Sequence, residues 1–283
     1  MITLNKTTAE LYVPDGSEPA DALRRTTHMA VGAHQDDLEI MASAGILACF
    51  GRSDAWFTGV VVTNGAGSPR DGLYANYTDE QMQAVRRVEQ KKAAFVGEYS
   101  AVAFLDHTSS EVKDPAFSGA VTDLVQLIEM SSPDVVYTHN LADKHPTHVA
   151  VALRTIAAVR SLPAAKRPSK LLGCEVWRGL DWMCDADKVV FRLDEHENLL
   201  MSLVGVFDSQ IAGGKRYDLA TMGRRRANAT YLDSHATDTA ELVTFGMDLS
   251  PLIHDDALTP EQLVAQHMER FAQEVKIALS KLA

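Results

Sequence analysis

The heptapeptide AHQDDLE, at positions 33–39, directly follows the short apolar run MAVG at positions 29–32. A short apolar run that is bounded by polar residues is typical of a buried strand. The residues after the motif have helical spacing, so the side chains of His34, Asp36 and Asp37 fall on a strand-to-helix turn. In an open α/β sheet, ligands bind at turns of this kind.

Strands and helices alternate from this motif onward. The predicted strands are residues 29–32, 56–63, 101–105 and 135–137, and the predicted helices are 38–50, 78–96, one that spans 121–128 and one that starts near 145. Thr78 and Gln81 form a capping box at the start of the second helix. Strands that alternate with helices of this length predict parallel βαβ units, hence an α/β fold whose sheet is covered on both faces.

The last third of the chain has a different pattern. The predicted elements there are strands at 172–177 and 188–193 and helices that begin near 194, 216 and 260, the last with the apolar stripe Val264, Met268, Phe271 and Val275. Asp194 and Glu197 are predicted to cap the first of these helices. Because no repeat or long linker interrupts the chain, we expect a single domain over 1–283, with an arm at 1–25 and a C-terminal extension at 170–283 that walls the site.

The composition is that of an acidic globular protein. Its 27 Lys and Arg residues against 38 Asp and Glu residues give a formal charge of −11, which argues against nucleic acid or anionic lipid as a general partner. No apolar stretch approaches the roughly 18 to 20 residues that span a bilayer, and the polar start lacks the apolar core of a secretory signal. We expect a cytoplasmic protein with a small-molecule substrate, and we leave a homo-oligomer open.

A second polar cluster, HNLADKHPTH at positions 139–148, follows the predicted strand at 135–137. Both clusters leave strand ends of the same predicted sheet, so they can meet in one crevice. Imidazole nitrogens and a carboxylate oxygen suit a metal such as zinc, and three protein ligands leave a position for water. We predict that His34, Asp37 and His148 bind the metal.

Two neighbouring residues are then available for catalysis. Asp36 is free to act as a general base, and His145, one helical turn before His148, can donate a proton or stabilise an oxyanion. Either cluster alone is more often a helix N-cap or a surface histidine. The presence of both, at two strand ends, favours the metal site.

The two motifs AHQDDLE and HPTHVAV resemble the signatures AHPDDxE and HPDH of the PIG-L/LmbE-like family of zinc-dependent N-deacetylases. Further matches include Arg86 with Glu89, Asp106, and Ser209 with Gln210, so the similarity spans roughly residues 25–245. The resemblance implies a Rossmann-like three-layer sandwich with a mostly parallel sheet and a C-terminal extension of strands and helices. It also implies the removal of N-acetyl groups from N-acetylglucosaminyl compounds or related amides.

The resemblance assigns the same roles, position by position. His34, Asp37 and His148 would bind Zn²⁺, with Fe²⁺ or another divalent ion as the alternative, while Asp36 would be the base and His145 its electrostatic or acid partner. The sequence departs from the family pattern at Gln35, where proline is usual, and at Thr147, where HPDH has an acidic residue.

Loss of that acidic residue removes a charge that favours the imidazolium form, so the pKa of His145 is expected to be lower here. Asp143 is a candidate to replace the missing carboxylate.

Arg70 and Asp106 are the candidate substrate-binding residues. Arg70 follows the second predicted strand and can anchor a phosphate or a sugar hydroxyl, and Asp106 follows the third and can bind another hydroxyl. Both are single residues in predicted loops, where a solvated arginine and a turn aspartate are equally common.

The rival functions differ in their sequence requirements. Two histidines and one carboxylate also describe non-haem iron enzymes, whose sites usually lie in all-β barrels. A dinucleotide-binding dehydrogenase needs GxGxxG after the first strand, and a serine hydrolase of the α/β class needs GxSxG; both motifs are absent. A non-catalytic metal-containing carbohydrate-binding or assembly protein stays open, although it would have no use for Asp36. We therefore predict a metal-dependent N-deacetylase.

Overall fold

A computed structural model describes residues 2–283. One eight-stranded sheet forms its centre, with the order β1-β4-β3-β2-β5-β6-β8-β7. The strands are β1 (Glu10–Tyr12), β2 (His28–Gly32), β3 (Phe57–Thr63), β4 (Ala101–His107), β5 (Val135–His139), β6 (Lys170–Cys174), β7 (Lys188–Arg192) and β8 (Val243–Asp248). The five central strands, from β4 to β6 in this order, are all parallel, whereas β1 and β8 run antiparallel to the strands beside them.

Helices cover both faces of this sheet. They are α1 (Pro19–Arg24), α2 (Asp37–Met41), α3 (Ser43–Cys49), α4 (Asp79–Val96), α5 (Ser109–Lys113), α6 (Gly119–Ser131), α7 (Pro146–Ser161), α8 (Glu197–Gly205), α9 (Asp208–Ile211), α10 (Tyr217–Thr230), α11 (Ser250–His254) and α12 (Pro260–Leu282). Side chains alternate along β2, so that Val31 packs into one core with Leu124 of α6, while Ala30 packs into a second core with Ala93 of α4. The predicted three-layer α/β sandwich with a mostly parallel sheet is therefore confirmed.

The strand order reverses between β2 and β5. The chain passes from β2 to β3 and β4 on one side of the sheet, and then returns to place β5 on the other side of β2. The connections after β2 and after β5 consequently diverge and leave a crevice at their carboxyl ends. Residues 33–37 and 140–148, which carry the two motifs, form the two sides of this crevice.

Glycines allow α2 to lie directly against the strands beneath it. A Cβ atom on Gly59 of β3 would come within 2.6 Å of Leu38 Cδ1, and one on Gly32 would lie 3.1 Å from both Leu38 and Asp37. A larger side chain at either position would push α2 away from the sheet. The turn that carries the first motif is thus fixed by close packing of its helix.

Most predicted elements are present, with two informative differences. The predicted helix 38–50 is divided at Ala42 into α2 and α3. Arg225 of α10 donates hydrogen bonds to the main-chain carbonyls of Glu39 and Ile40 at 3.0 and 3.3 Å, which takes up carbonyl groups at the end of α2. The prediction that Asp194 caps α8 is wrong, because its carboxylate instead accepts hydrogen bonds from the main-chain N–H groups of residues 241 and 242, just before β8.

Within residues 2–283, no helix combines the length and the apolar character needed to cross a membrane.

Candidate metal centre

The turn after β2 presents two adjacent carboxylates in different directions. Asp36 is the N-cap of α2 and has φ of 93°, a left-handed conformation that aspartate tolerates better than most residues. Its backbone N–H donates to Gln90 Oε1 at 3.3 Å, which helps to hold this conformation. The carboxylate of Asp37 turns back and accepts a 2.6 Å hydrogen bond from the backbone N–H of His34. Both carboxylates line the cleft.

Three donor atoms from the two motifs form a nearly equilateral triangle. His34 Nδ1 lies 3.2 Å from Asp37 Oδ2 and 3.2 Å from His148 Nε2, and the distance from His148 Nε2 to Asp37 Oδ2 is 3.4 Å. Two ligands of a tetrahedral zinc ion, each bonded at about 2.0–2.1 Å, are about 3.3 Å apart. The three side chains therefore fit one metal ion, which would receive the lone pairs that face one another here.

Asp143 lies beside the ring nitrogen of His148 that faces away from the triangle. Its Oδ1 atom lies 3.5 Å from His148 Nδ1 and also accepts the backbone N–H of His145 at 2.9 Å. Its Oδ2 accepts the backbone N–H of Trp177 at 3.0 Å. A carboxylate beside Nδ1 favours the tautomer protonated there and leaves Nε2 free for a metal.

Asp143 does not replace the missing acidic residue of the HPDH pattern in the way the sequence suggested. Its carboxylate faces the ring of His148 but only the backbone of His145. The two carboxylate oxygens thus contact the candidate ligand His148 and the surrounding main chain.

Burial sets the protonation of the ligands. Desolvation lowers the pKa of His148 to about 4, in spite of the attraction of Asp37, so its imidazole is neutral at pH 7 and able to bind a metal. Desolvation alone would raise the pKa of Asp37, but the neighbouring His148 and His139 outweigh it and hold that pKa well below its ordinary value. A neutral imidazole beside an ionised carboxylate is the state that metal binding requires.

His139, the last residue of β5, lies beside the triangle without being part of it. Its Nε2 accepts a 2.9 Å hydrogen bond from the backbone N–H of Ala33, and its ring stacks on that of His148 with 3.8 Å between centroids. The donor atoms of Asp37, His139 and His148 lie within 4.8 Å of one another. The lone pair that accepts the Ala33 N–H is nevertheless engaged, so we assign His139 to the support of His148.

Asp36 is a buried carboxyl group whose pKa depends on burial and on the charges around it. Burial and the nearby charge of Asp37 raise its pKa well above the ordinary value, and the attraction of Arg86 offsets only part of this effect. Arg86 itself is buried, donates to the carbonyl of Gly65 at 2.7 Å, and bonds to the side chain of Gln210. It thereby joins α4, the loop after β3 and α9 at the wall of the cleft.

His145 is the N-cap residue of α7, and its side chain faces the same cleft. Its ring meets that of His34 edge-on, with 5.0 Å between centroids, and lies 4.6 Å from that of His148. Burial lowers its pKa, and His34 adds to this effect, so the ring is mostly neutral at pH 7. The sequence-based expectation of a low pKa for His145 thus agrees with its surroundings.

The cleft above these residues has a volume of about 470 Å³. Its further walls come from the loop after β3, from α5 and from the segment before α10. Trp177 and Tyr217 meet edge-to-face there, with 6.1 Å between ring centroids. Lys113 and Lys215 also line it, and neither was identified from the sequence, because no local pattern marks a lysine that faces a cleft.

Arg70 and Asp106, the predicted substrate-binding residues, do not line this cleft. Arg70 donates to the carbonyls of Tyr77 and Ala66 and pairs with Asp79, which closes the loop after β3 on itself. Asp106 pairs with Arg87 at 2.9 Å. Neither set of contacts supports a role in substrate binding.

Glu39, one turn after Asp36, is fully buried, and it contacts side chains that hold the turn in place. One of its carboxylate oxygens accepts hydrogen bonds from Tyr99 at 2.8 Å and Gln90 at 2.7 Å, and the other has no partner in the structure. Desolvation raises the pKa of Glu39 to about 7 despite these bonds. Gln90 is thereby held between Glu39 and the backbone of Asp36.

Glu39→Gln is expected to stabilise the protein at high pH. The folded-state pKa of Glu39 lies above its ordinary value of 4.5, so wild-type stability falls as the pH rises from about 4.5 to about 7, whereas the stability of the glutamine variant does not depend on this ionisation. The shift corresponds to about 3 kcal/mol in favour of the variant at pH 8, and much less at pH 5. Urea unfolding of both proteins at the two pH values measures the difference. An equal difference at both pH values would contradict the assignment.

One protein-family model matches part of this chain. Residues 29–159 match the family model described as PIG-L, GlcNAc-PI de-N-acetylase. No curated protein is a significant match to the chain. The matched region runs from β2 through α7 and so includes both motifs.

Several solved structures share the fold. The N,N′-diacetylchitobiose deacetylase of Pyrococcus horikoshii, in complex with an inhibitor, has a TM-score of 0.61 at 14% identity, over 81% of this chain and 86% of that one. The zinc inhibited form of the teicoplanin deacetylase Orf2 has a TM-score of 0.56 at 15% identity, over 79% of this chain and 98% of that one.

A third similar structure belongs to another class of enzyme. GalB, the 4-carboxy-2-hydroxymuconate hydratase of Pseudomonas putida KT2440, has a TM-score of 0.57 at 14% identity, over 79% of this chain and 96% of that one. At these identities the likeness shows the fold alone. Because the fold houses both deacetylases and a hydratase, the reaction has to be argued from the site.

Proposed function

We propose that this chain, which resembles the PIG-L/LmbE-like family in its motifs and its fold, is a metal-dependent hydrolase that removes an N-acetyl group from an N-acetylglucosaminyl-type or related small amide substrate. The observation that carries the proposal is the triangle of His34, Asp37 and His148 with Asp36 beside it in the cleft. Three ligands and a spare carboxylate are the groups that hydrolysis by an activated water requires.

A divalent ion held by these three side chains would supply Lewis acidity for the amide carbonyl and would lower the pKa of the attacking water to about 7. Asp36, which lines the cleft beside the ligand triangle, takes the proton of the attacking water. The same carboxyl group then delivers the proton to the amide nitrogen. The water oxygen bonds to the carbonyl carbon, the C–N bond breaks, and the acid and the amine leave as acetate and an ammonium ion after the second proton of the water passes from the acid to the amine.

His145 stabilises the carbonyl oxygen as its negative charge develops. A mostly neutral ring cannot serve as a cation, so its contribution is a hydrogen bond from a ring N–H. Thr147 is consistent with this role, since it adds no charge of its own to those of Asp37 and Asp143, which burial and His34 outweigh at His145. Trp177 and Tyr217 offer aromatic surfaces to a sugar ring at the cleft wall.

His145→Ala is expected to lower kcat by about 10²-fold, because it removes one donor to the developing oxyanion. The loss is smaller than that expected for Asp36, and the metal content stays unchanged because His145 lies outside the ligand triangle. Steady-state kinetics across pH, together with elemental analysis, test this. Unchanged turnover at every pH would remove His145 from the mechanism.

Zinc is the proposed native metal, on the basis of two imidazole nitrogens and one carboxylate oxygen as ligands. Ferrous ion accepts the same donors and is the alternative. One of the similar structures is the zinc inhibited form of a deacetylase, so metal has to be added in measured ratios and never in large excess. The purified protein and its reconstituted forms should be analysed for metal before any assay.

The decisive experiment incubates metal-reconstituted protein with a panel of N-acetylglucosamine conjugates and detects the released amine and acetate. Stoichiometric release of both products is the expected result, and Asp36→Asn protein prepared in the same way is the control. A panel that is bound but not cleaved with zinc or ferrous ion would favour the non-catalytic carbohydrate-binding alternative.

A further inference from the structure

A second cavity, with a volume of about 200 Å³, adjoins the cleft of the candidate metal centre. Four residues line both spaces, namely Ile40, Val176, Trp177 and Tyr217. A molecule of liquid water takes about 30 Å³, so this side cavity has room for a phosphate or a short carboxylic acid. A substrate held in the cleft can therefore extend a substituent into the side cavity, past the residues that the two spaces share.

One face of α10 forms a wall of the side cavity and carries two arginines. The residues of α10 that line it are at positions 217, 220, 221, 224 and 225, the spacing of a single helix face. Arg224 is partly buried, and its guanidinium donates to the main-chain carbonyl of Val176. Arg225 is 1% exposed, and its guanidinium donates to main-chain carbonyls at the end of α2 and to the hydroxyl of Ser43. All of these acceptors are uncharged.

Neither arginine has a carboxylate partner among residues 2–283. The Nε atom of Arg225 is buried and has no hydrogen-bond partner in that range. Burial lowers the pKa of Arg225 to about 10, and no acidic neighbour counteracts this effect. Buried charges in proteins are normally paired with an opposite charge. The α10 wall of the side cavity therefore presents positive charge that the chain itself does not neutralise.

Glu175 is the one carboxylate of the described residues that lines the side cavity, and uncharged donors occupy both of its oxygens. Its Oε1 accepts the backbone N–H of Leu180 at 2.7 Å. Its Oε2 accepts the backbone N–H of Phe245 at 2.9 Å and bonds from the side chains of Asn228 and Thr244 at 3.0 and 3.2 Å. Two guanidinium groups against one carboxylate leave a net positive charge in the side cavity.

A third cation lies beside the wall that the two spaces share. Lys215 lines the cleft, and its Nζ is 5.3 Å from the centroid of the Trp177 ring. Its backbone N–H donates to the carbonyl of Gln210 at 3.0 Å, which ties it to α9. Lys215 makes no ion pair in the part of the chain that the structure describes. In a chain with a formal charge of −11, three neighbouring cations without acidic partners attract an anion to this side of the cleft.

We propose that the substrate carries an anionic group joined to its acetylated sugar, and that Arg224 binds this group in the side cavity. This inference rests on the proposed function, in which the acetamide lies at the metal centre and the sugar ring lies against Trp177 and Tyr217. A guanidinium offers paired N–H donors that match the oxygens of a phosphate or a carboxylate. Arg225 is held by the end of α2 and so contributes charge, whereas Arg224 contacts the anion.

Calorimetric binding to metal-loaded Asp36→Asn protein tests the proposal, because this variant should bind ligands without cleaving them. The probes are N-acetylglucosamine as the neutral reference, its 1-phosphate and 6-phosphate, and N-acetylmuramic acid, which carries a carboxylate. At least one anionic probe is expected to bind about 10- to 100-fold more tightly than the neutral reference. The probe with the largest gain distinguishes a phosphate from a carboxylate. Equal or undetectable binding of all four overturns the proposal.

Substitution of Arg224 assigns the gain to the side cavity. Arg224→Gln in the same background should remove most of the gain, and Arg224→Lys, which keeps the charge but not the paired donors, should remove part of it. Arg226→Gln is the matched control, because Arg226 is the next residue of α10 but pairs with Glu197 and does not line the side cavity. Thermal unfolding confirms that the variants fold. An Arg224→Gln protein that keeps the full gain, or that loses affinity for neutral and anionic probes by the same factor, overturns the proposal.

Turnover by the wild-type protein separates a failure of this inference from a failure of the proposed function. If an anionic probe binds through Arg224 but no probe releases acetate, the proposed function fails and the anion site stands. If neutral and anionic probes are cleaved with the same kcat/KM, the anion site is overturned and the proposed function stands.

Discussion

Asp36→Asn is expected to lower kcat by about 10²- to 10⁴-fold, the usual contribution of a general base, while the protein retains its metal. The amide is nearly isosteric with the carboxylate and tolerates the φ of 93° found at this position, so the turn should be preserved. What the variant loses is the ability to accept the proton of the attacking water. The proposed metal ligands His34, Asp37 and His148 are untouched.

Three measurements distinguish the loss of the base from a loss of metal or a loss of the fold. Steady-state kinetics give kcat, elemental analysis gives the metal content, and thermal unfolding shows whether the fold is intact. Asp54→Asn, which makes the same change at an exposed position, controls for the loss of one negative charge and should leave kcat unchanged. Loss of metal from Asp36→Asn would exchange the roles of base and ligand between Asp36 and Asp37.

The parts of the fold and site that follow from the sequence depend on local signals. The capping boxes at Thr78 and Thr259 are four-residue patterns, and both are present in the structure. The two motifs could be placed on one crevice because each directly follows a buried strand. The α/β topology then brings neighbouring strand ends together with no further information about distant residues.

The parts that could not be predicted depend on side chains that meet from far apart in the sequence. Arg225 divides the predicted helix 38–50, yet it lies more than 180 residues from the carbonyls that it binds. Asp194 has the sequence spacing of a helix cap, but main-chain N–H groups of a distant segment compete for its carboxylate. Arg70 has the chemistry of a substrate-binding residue, but its partners lie in the loop after β3 and at the start of α4, which no local pattern reveals.

The supporting residues around the metal centre show the same limit. Asp143 was recognised as a carboxylate near the second motif, but which histidine it faces depends on how residues 140–148 fold over the end of β5. His139 ends that strand, and only the pairing of β2 with β5 brings it to the backbone of Ala33. The spacing of residues in the two motifs identified the candidate ligands. The residues that contact those ligands could be identified only from the structure.

His148→Ala is expected to abolish stoichiometric metal binding and to reduce amide hydrolysis to the level of the metal-free protein. It removes one corner of the ligand triangle, and His139 cannot fill the gap because its Nε2 is engaged by the Ala33 N–H. Metal that binds only the folded state raises Tm in proportion to the logarithm of its concentration, so thermal unfolding at several zinc concentrations gives a readout independent of activity.

Asp143→Asn is expected to have a smaller effect on metal binding than His148→Ala. It leaves all three ligands in place but removes the carboxylate 3.5 Å from His148 Nδ1, which is expected to weaken metal affinity by about 10- to 100-fold. The order of affinity should therefore be wild type, then Asp143→Asn, then His148→Ala. If His148→Ala kept the zinc dependence of the wild-type Tm, the ion would not be bound by the proposed triangle, and the assignment of Asp36 as its neighbouring base would fail with it.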